Sequence, residues 1–232
     1  MKRKTTAIIL AAGNGSRMNS DITKQRMTVH GKTLHKRSVT AYEETELIDD
    51  IIVVVRDDET DFARRETEGF TKVRAIVTGG KTRRESAERA VGALSENYCG
   101  IIMIHDAARC LICKEDISSV AKAAYESGAA SAVYAVFDTV KLTDKDGRII
   151  GTVDRDTIRI AATPQAFDFA LYKQAMKKSA DDDAITDDNM LLEKMGIPVT
   201  AVNTSRQNIK ITTPEDILYA EYVIGRNADK YE

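Results

Sequence analysis

The stretch "TAIILAAGNGSRMNSDITKQ", residues 6–25, joins an apolar run to a glycine-rich segment and two cations. Its first part, "TAIIL", has the length and composition of a buried β-strand. Gly13 and Gly15 follow, and glycine allows backbone N–H groups to approach a phosphate closely. Arg17 and Lys24 lie just beyond, where arginine offers a fork and lysine a compact charge to phosphate oxygens. The stretch therefore predicts a strand followed by a loop that holds a triphosphate.

Two other glycine-loop patterns do not fit this sequence. The dinucleotide-binding pattern G-x-G-x-x-G needs a third glycine where Met18 stands, which disfavours an NAD-dependent oxidoreductase. A Walker A loop ending at either "GKT" needs a glycine where Arg26 or Ala75 stands. A single G-x-G after a strand is also found in ordinary tight turns. The two cations favour phosphate binding over that interpretation.

Further apolar runs alternate with helical patterns along the chain. The strand-like runs are "IIVVV" (51–55), "VRAIV" (73–77), "GIIMI" (100–104) and "SAVYAV" (131–136). Within "KEDISSVAKAAYESG" (114–128) the apolar residues recur at helical spacing, and Gly128 provides a stop. Continuous apolar strands that alternate with helices predict an α/β, Rossmann-like fold, with a mostly parallel sheet covered by helices on both faces.

The alternation breaks near residue 138. Residues 138–162 contain short β-rich segments around the turn "DKDG", which predicts a β-arm projecting from a single domain that spans residues 1–232. Helical signals then return. Thr186 is predicted to cap the helix in "TDDNMLLEKMG", and Thr213 to cap a helix that starts at Pro214.

Composition excludes several classes of function. The chain has 232 residues, 43% of them apolar, and its 34 basic and 36 acidic residues are interspersed with a net charge of −2. This balance does not predict a nucleic-acid or membrane surface. The sequence contains neither an apolar run of about 20 residues nor a signal-peptide pattern. The three cysteines are expected to be buried thiols, and a cytoplasmic protein is predicted.

The histidines offer little support for acid–base chemistry. His30 and His35 are expected at the surface, in a loop and on a helix. His105 is expected to form local hydrogen bonds and not to transfer protons.

A series of motifs runs in order along nearly the whole chain: "AAGNGSRM" (11–18), "KQ" (24–25), Gly79, Gly80, Arg83 and Ser86, "HDAAR" (105–109), "DT" (138–139), "VDR" (153–155), "TPQ" (163–165), "ITD" (185–187) and "NIKITTPEDI" (208–217). In this order and at this spacing the sequence resembles the nucleotidyltransferases, and among them the 2-C-methyl-D-erythritol 4-phosphate cytidylyltransferase family. It departs from the usual family pattern at Arg26, Lys81, Cys110 and Arg159.

The resemblance implies that CTP reacts with a sugar-like phosphomonoester, with Mg²⁺ as the cofactor. The implied products are a CDP-alcohol and pyrophosphate, in non-mevalonate isoprenoid precursor synthesis. It also implies a homodimer whose β-arm completes the neighbour's site. The implied catalytic residues are Arg17, Lys24, Arg155 and Lys210. The implied nucleotide-binding residues are Ala11, Ala12, Gly13, Asn14, Gly15, Gly80, Ser86 and Ala107. The implied substrate-binding residues are Asp106, Arg109, Thr139, Arg155, Thr163 and Thr186, and Asp106 is also the implied metal ligand.

Such a reaction needs cations, because two phosphate groups of like charge must meet. A pair of like unit charges about 4 Å apart at an effective dielectric near 20 repels by roughly 4 kcal/mol. Two residues also have ordinary structural interpretations: Asp106 as a loop carboxylate after a strand, and Ser86 as a helix cap. Two other functions stay open. One is a ribitol 5-phosphate or other polyol-phosphate cytidylyltransferase, and the other is a nucleotide-binding regulatory module without turnover.

Overall fold

The computed structural model describes residues 3–13, 22–179 and 185–231. The strands are β1 (Lys4–Leu10), β2 (Thr28–Val29), β3 (Lys32–Thr33), β4 (Asp50–Val55), β5 (Val73–Thr78), β6 (Gly100–Asp106), β7 (Ala129–Ala135), β8 (Lys141–Thr143), β9 (Ile149–Thr152), β10 (Arg159–Asp168) and β11 (Thr200–Asn203). The helices are α1 (Leu34–Glu43), α2 (Thr60–Glu66), α3 (Arg83–Gly92), α4 (Lys114–Ser127), α5 (Phe169–Lys178), α6 (Asn189–Glu193), α7 (Pro214–Arg226) and α8 (Ala228–Tyr231). Three-residue 3₁₀ turns lie at Lys24–Arg26, Asp57–Glu59 and Arg155–Thr157.

Seven strands form one sheet in the order β11-β7-β10-β6-β1-β4-β5. Every neighbouring pair is parallel except the two that involve β10, which runs antiparallel to both β6 and β7. The predicted α/β fold with a mostly parallel sheet is therefore confirmed. The register places Leu10 of β1 opposite Asp106 of β6, so the carboxyl ends of these strands meet at one edge of the sheet.

Both faces of the sheet are buried, which explains the continuous apolar strands. Ala7 and Ile9 of β1 pack into one core cluster with residues of α1, α2 and α4, whereas Ile8 and Leu10 pack into a second cluster with residues of α3, α5 and α6. Successive strand side chains point to opposite faces, so a strand covered on both sides must be apolar at every position. A third, smaller cluster joins α7 to the segment around Val29 and Leu34.

The β-arm forms as a two-stranded hairpin of β8 and β9. Gly147, in the turn "DKDG", has φ of 80°, a left-handed conformation that glycine adopts without steric cost. The C-terminal limit differs from the expected residue 162, because residues 159–162 already belong to β10 of the central sheet. They pair with β7, so the hairpin pattern and the sheet pattern merge there.

One predicted helix cap is confirmed and one is wrong. Thr213 forms a reciprocal capping box with Asp216 at the start of α7. Thr186 does not cap α6, which begins at Asn189. The carboxylate of Asp187 accepts a hydrogen bond from the Met190 N–H at 3.2 Å, whereas the Thr186 hydroxyl lies 3.1 Å from the Met190 sulfur. Asp187 is closer to the first turn and has the stronger acceptor.

The cysteines agree with expectation in two of three cases. Cys110 and Cys113 are buried free thiols, and burial raises the pKa of Cys110 to about 12 and that of Cys113 to about 11. Cys99 is a free thiol at the surface. Among the helices of the described residues, none has both the length and the apolar character needed to cross a bilayer.

His35 was expected at the surface, but it is fully buried. Its ring meets Phe62 of α2 edge to face at a centroid distance of 5.6 Å. Neither ring nitrogen has a hydrogen-bond partner among the described residues. Burial lowers the pKa of His35 from 6.5 to about 4, because the charged imidazolium loses its hydration.

We expect His35 to make the protein less stable in mild acid. The unfolded chain takes up the His35 proton near pH 6.5, whereas the folded chain resists it until about pH 4. The contribution of neutral His35 to the free energy of unfolding is therefore fully present above pH 6.5. It falls by up to about 3 kcal/mol as the pH drops through this window. Urea unfolding at pH 7 and pH 4.5 measures the loss. His35→Leu should lose less free energy of unfolding between the two pH values than the wild type, and an equal loss would contradict the assignment.

Candidate active site

A cleft opens where β1, β4, β5 and β6 end. This is the edge where ligands bind in open α/β sheets. The residues that line it are Leu10, Ala12, Gly13, Lys24, Gln25, Arg56, Gly80, Lys81, Thr82, Arg83, Ser86, Asp106, Ala108 and Lys210. The structure thus brings together seven of the predicted site residues: Ala12, Gly13, Lys24, Gly80, Ser86, Asp106 and Lys210.

One wall is the loop between β5 and α3, and it is packed too closely for any side chain at Gly79. A Cβ atom there would lie 2.5 Å from the Ala12 Cβ and 2.8 Å from the Ser86 Oγ. Ser86 accepts a hydrogen bond from the Gly80 N–H at 3.1 Å and donates one to the Thr82 carbonyl at 2.9 Å. Its hydroxyl therefore holds the loop. The interpretation of Ser86 as the helix cap is wrong, because Thr82 caps α3.

Ala11 and Ala107 lie below the cleft and have already committed backbone groups. The Ala11 N–H donates to the Val54 carbonyl at 2.7 Å, and the Ala107 N–H donates to the Leu10 carbonyl at 3.0 Å. The Ala107 carbonyl accepts from Ser38 at 2.7 Å. These bonds fix the floor of the cleft through the ends of neighbouring strands.

Asp106, the last residue of β6, holds two cations at the centre of the cleft. Its Oδ2 lies 2.7 Å from the Lys210 Nζ, and its Oδ1 lies 3.2 Å from the Arg83 Nε. Burial alone would raise the pKa of Asp106, but the positive charges of Arg83 and Lys210 outweigh it and hold this pKa far below its usual range. Asp106 is therefore a carboxylate at any working pH.

Arg83 bridges two carboxylates, a role that its place in the sequence motif did not predict. Its NH1 lies 2.6 Å from Oδ2 of the buried Asp188, which also accepts a hydrogen bond from the Tyr172 hydroxyl at 2.6 Å. Burial would lower the pKa of Arg83, but Asp188 and Asp106 raise it well above its usual value. A signal for this role existed in the sequence: an arginine in the first turn of a helix that follows a glycine pair.

Lys210 reaches the cleft because the segment after β11 is tied to the sheet. Arg109 NH1 donates to the Asn208 carbonyl at 3.0 Å, and the Asn208 side chain donates to the Thr163 carbonyl at 2.8 Å. The Ile211 N–H donates to the Ala108 carbonyl at 2.8 Å. Arg109 is itself buried, and it contacts the segment that carries Lys210 through the Asn208 carbonyl.

Thr163 of β10 lies behind Asp106. Its hydroxyl accepts a hydrogen bond from the Asp106 N–H at 3.0 Å and lies 3.1 Å from the His105 Nδ1. The other ring nitrogen of His105 lies 3.3 Å from the Arg109 carbonyl, which agrees with the expected local hydrogen bonds. Burial lowers the pKa of His105 to about 3, so its ring is neutral.

Lys24 enters the cleft from the 3₁₀ turn Lys24–Arg26 and is buried together with Gln25. Three other predicted residues, Thr139, Arg155 and Thr186, are exposed and are not among the described residues that line the cleft. Arg155 follows the hairpin and donates to the Phe137 carbonyl at 2.7 Å. Arg17, Asn14 and Gly15 lie outside the described residues.

The described residues provide no metal cage of their own: in residues 3–13, 22–179 and 185–231, no three His, Cys, Asp or Glu side chains gather as a metal site. Asp106 is the carboxylate that lines the cleft. One ionised carboxylate suits Mg²⁺, which binds through one or two carboxylates together with waters and substrate phosphates. The donor set therefore fits Mg²⁺ that arrives with a nucleotide.

Comparison with known proteins gives one consistent result. Residues 5–226 match the family described as 2-C-methyl-D-erythritol 4-phosphate cytidylyltransferase. Proteins of that name from Alkaliphilus oremlandii and Syntrophus aciditrophicus are each 40% identical over 225 residues, covering 95% of this chain and 95% and 96% of theirs. The crystal structure of 4-diphosphocytidyl-2C-methyl-D-erythritol synthase from Anaerococcus prevotii superposes with a TM-score of 0.87 at 30% identity, covering 97% of each chain.

We expect Arg83→Ala to destabilise the fold by about 3 kcal/mol, because it leaves the buried Asp188 carboxylate without its cation. Urea unfolding at pH 7 measures the change. Arg64→Ala is the matched control, since Arg64 pairs with Asp61 at the surface and should cost less than about 1 kcal/mol. Equal costs for the two variants would contradict a buried network centred on Arg83.

Proposed function

The chain belongs to the 2-C-methyl-D-erythritol 4-phosphate cytidylyltransferase family, and we propose that it joins 2-C-methyl-D-erythritol 4-phosphate to CTP. A phosphate oxygen of the acceptor attacks the α-phosphorus of CTP while the bond to the bridging oxygen breaks. The products are 4-diphosphocytidyl-2-C-methyl-D-erythritol and pyrophosphate. This is a step in isoprenoid precursor synthesis. The names of the relatives do not favour the pentitol phosphate or the regulatory module.

The observation that supports this reaction most directly is the pairing of Lys210 with Asp106 in a cleft that Lys24 also lines. These residues come from distant parts of the chain, yet they face one space at the end of β1. Two anionic phosphates can meet there only if several cations offset their repulsion. Phosphoryl-type transfer otherwise depends on positioning and on electrostatic stabilisation.

The proposed roles follow from position. Lys24, together with Arg17, stabilises the charge that develops on the triphosphate. Lys210 orients the attacking phosphate, and Asp106 keeps the Lys210 ammonium in place at 2.7 Å until the substrate arrives. The loop held by Ser86 and Gly80 shapes a small pocket that suits a pyrimidine.

Asp106 is the proposed ligand for Mg²⁺. When bound with the nucleotide, the ion neutralises part of the phosphate charge. Arg83 on the other carboxylate oxygen fixes the orientation of the Asp106 side chain.

We propose that the protein works as a homodimer in which the β-arm crosses to the neighbour. The hairpin carries Leu142, Ile149 and Ile150, each more than half exposed, and the monomer leaves this apolar surface uncovered. Arg155 would bind the acceptor phosphate across this contact, and Thr139 and Thr186 would lie around the phosphate and polyol.

We also propose a cytoplasmic location. All three cysteines are free thiols, as is usual in the reducing cytosol, and the proposed substrate CTP is a cytosolic nucleotide.

A pyrophosphate-release screen tests the function. ATP, GTP, UTP and CTP are each combined with Mg²⁺ and either 2-C-methyl-D-erythritol 4-phosphate or ribitol 5-phosphate. We expect the largest kcat/KM for CTP with the methylerythritol phosphate, since pocket shape and acceptor contacts both enter this ratio. A preference for ribitol 5-phosphate would overturn the acceptor assignment. No release with any pair would favour the regulatory module.

We expect Lys24→Ala to lower kcat about a hundredfold or more while the fold stays intact, as loss of one preorganised electrostatic contact commonly does. Pyrophosphate release measures the rate, and circular dichroism with thermal unfolding checks the fold. Lys36→Ala, on α1 outside the cleft, is the control and should keep the wild-type rate. A near wild-type rate for Lys24→Ala would remove this lysine from the mechanism.

A further inference from the structure

The turn that carries Lys24 is held by a buried carboxylate on another element. Glu59 ends the 3₁₀ turn before α2, and its side chain is only 5% exposed. Its Oε1 accepts a hydrogen bond from the Thr23 hydroxyl at 3.1 Å and another from the Arg26 Nε at 3.0 Å. One oxygen atom therefore holds residues on both sides of Lys24.

The turn has little hydrogen bonding of its own. Its backbone bonds are Arg26 N–H to the Thr23 carbonyl at 3.0 Å and Met27 N–H to the Lys24 carbonyl at 3.1 Å. Three-residue 3₁₀ turns have poor hydrogen-bond geometry and little intrinsic stability. Thr23 precedes the turn and makes no cap bond with its side chain, and its hydroxyl donates to Glu59. The orientation of the turn therefore depends on tertiary contacts.

Arg26 completes the contact from the same side. Its guanidinium carbon lies 4.9 Å from the centroid of the Phe62 ring, one turn beyond Glu59 along α2. A buried carboxylate is costly unless a cation and hydrogen bonds compensate it, and Arg26 and Thr23 supply both. These bonds fix the distance between the start of α2 and the turn.

We propose that Glu59 is a positioning residue for Lys24, fixing the turn so that the lysine ammonium faces the reacting phosphates. This inference rests on the proposed function, in which Lys24 acts on the triphosphate. Glu59 does not line the cleft and acts only through the turn. A displacement of about 1 Å in a group that contacts the transition state can cost up to a hundredfold in rate.

The test is a double-mutant cycle with Glu59→Ala, Lys24→Ala and the double variant. Steady-state pyrophosphate release gives kcat and KM for CTP, and single-turnover release with excess enzyme gives the rate of the chemical step. We expect Glu59→Ala to lower kcat about tenfold while KM for CTP changes less than about twofold. In the Lys24→Ala background the same change should have almost no further effect, because the group it positions is gone. Glu59→Gln keeps an oxygen acceptor for Thr23 but loses the charge, and should fall between wild type and Glu59→Ala.

The matched control is Glu66→Ala. Glu66 is a carboxylate at the end of α2, the helix that follows Glu59, and it also accepts a hydrogen bond from a threonine hydroxyl, that of Thr33 at the start of α1. Its loss should lower the unfolding temperature and leave kcat unchanged. If Glu59→Ala does not fold, Glu59→Gln carries the cycle in its place.

The possible results distinguish the role of Lys24 in the reaction from the positioning role of Glu59. If Lys24→Ala keeps a near wild-type rate, the proposed role of Lys24 fails. If Lys24→Ala is slow but Glu59→Ala reduces the rate by the same factor in both backgrounds, only the positioning role fails and Glu59 is structural. An unchanged kcat in Glu59→Ala, or an equal kcat loss in Glu66→Ala, would also overturn the positioning role.

Discussion

The ion pair between Asp106 and Lys210 is the contact around which the rest of the cleft is arranged. The two atoms are 2.7 Å apart, but the residues are separated by 104 positions in the chain. For them to meet, the segment after β11 must return across the end of β6 and the middle of β10, and its bonds to Arg109, Thr163 and Ala108 hold it there. The insertion of antiparallel β10 between β6 and β7 supplies the anchor point at Thr163.

Buried carboxylates recur around this centre, and each is compensated by a cation. Asp106 and Asp188 share Arg83, and Glu59 pairs with Arg26. Such pairs contribute little net stability, because desolvation of the charges offsets their attraction. These pairs fix orientation instead, because each carboxylate holds in place the side chain or turn that carries a cation. The cations of the cleft are therefore held in fixed positions, which is the condition under which the proposed electrostatic stabilisation of phosphate is most effective.

Local patterns predicted the elements well where one physical signal dominated. The strands at 6–10, 51–55, 73–77 and 100–104 were found within one or two residues, because strands covered on both faces are apolar throughout. The cap at Thr213 was predicted correctly because a threonine before a proline and two acidic residues is a strong local helix-start signal. The pattern misled where neighbouring residues offered similar signals. Thr186 was predicted to cap α6, but the Met190 N–H donates to Asp187. Of the two interpretations open for Ser86, the helix cap is excluded because Thr82 caps α3. His35 was wrongly predicted to be at the surface, because the sequence around it does not indicate that α2 packs over it.

The sequence alone determined the alternation of strands and helices, the glycine-rich segment that follows β1 and the kind of chemistry the cations allow. These features depend on side-chain type and on neighbours within a few positions. The tertiary structure decided which charges meet. It brought Arg83 onto two carboxylates, held Lys24 through Glu59 on another element, and lowered the pKa of Asp106 through two cations from distant segments. Electrostatic energy depends on distance and burial, and both exist only once the chain has folded.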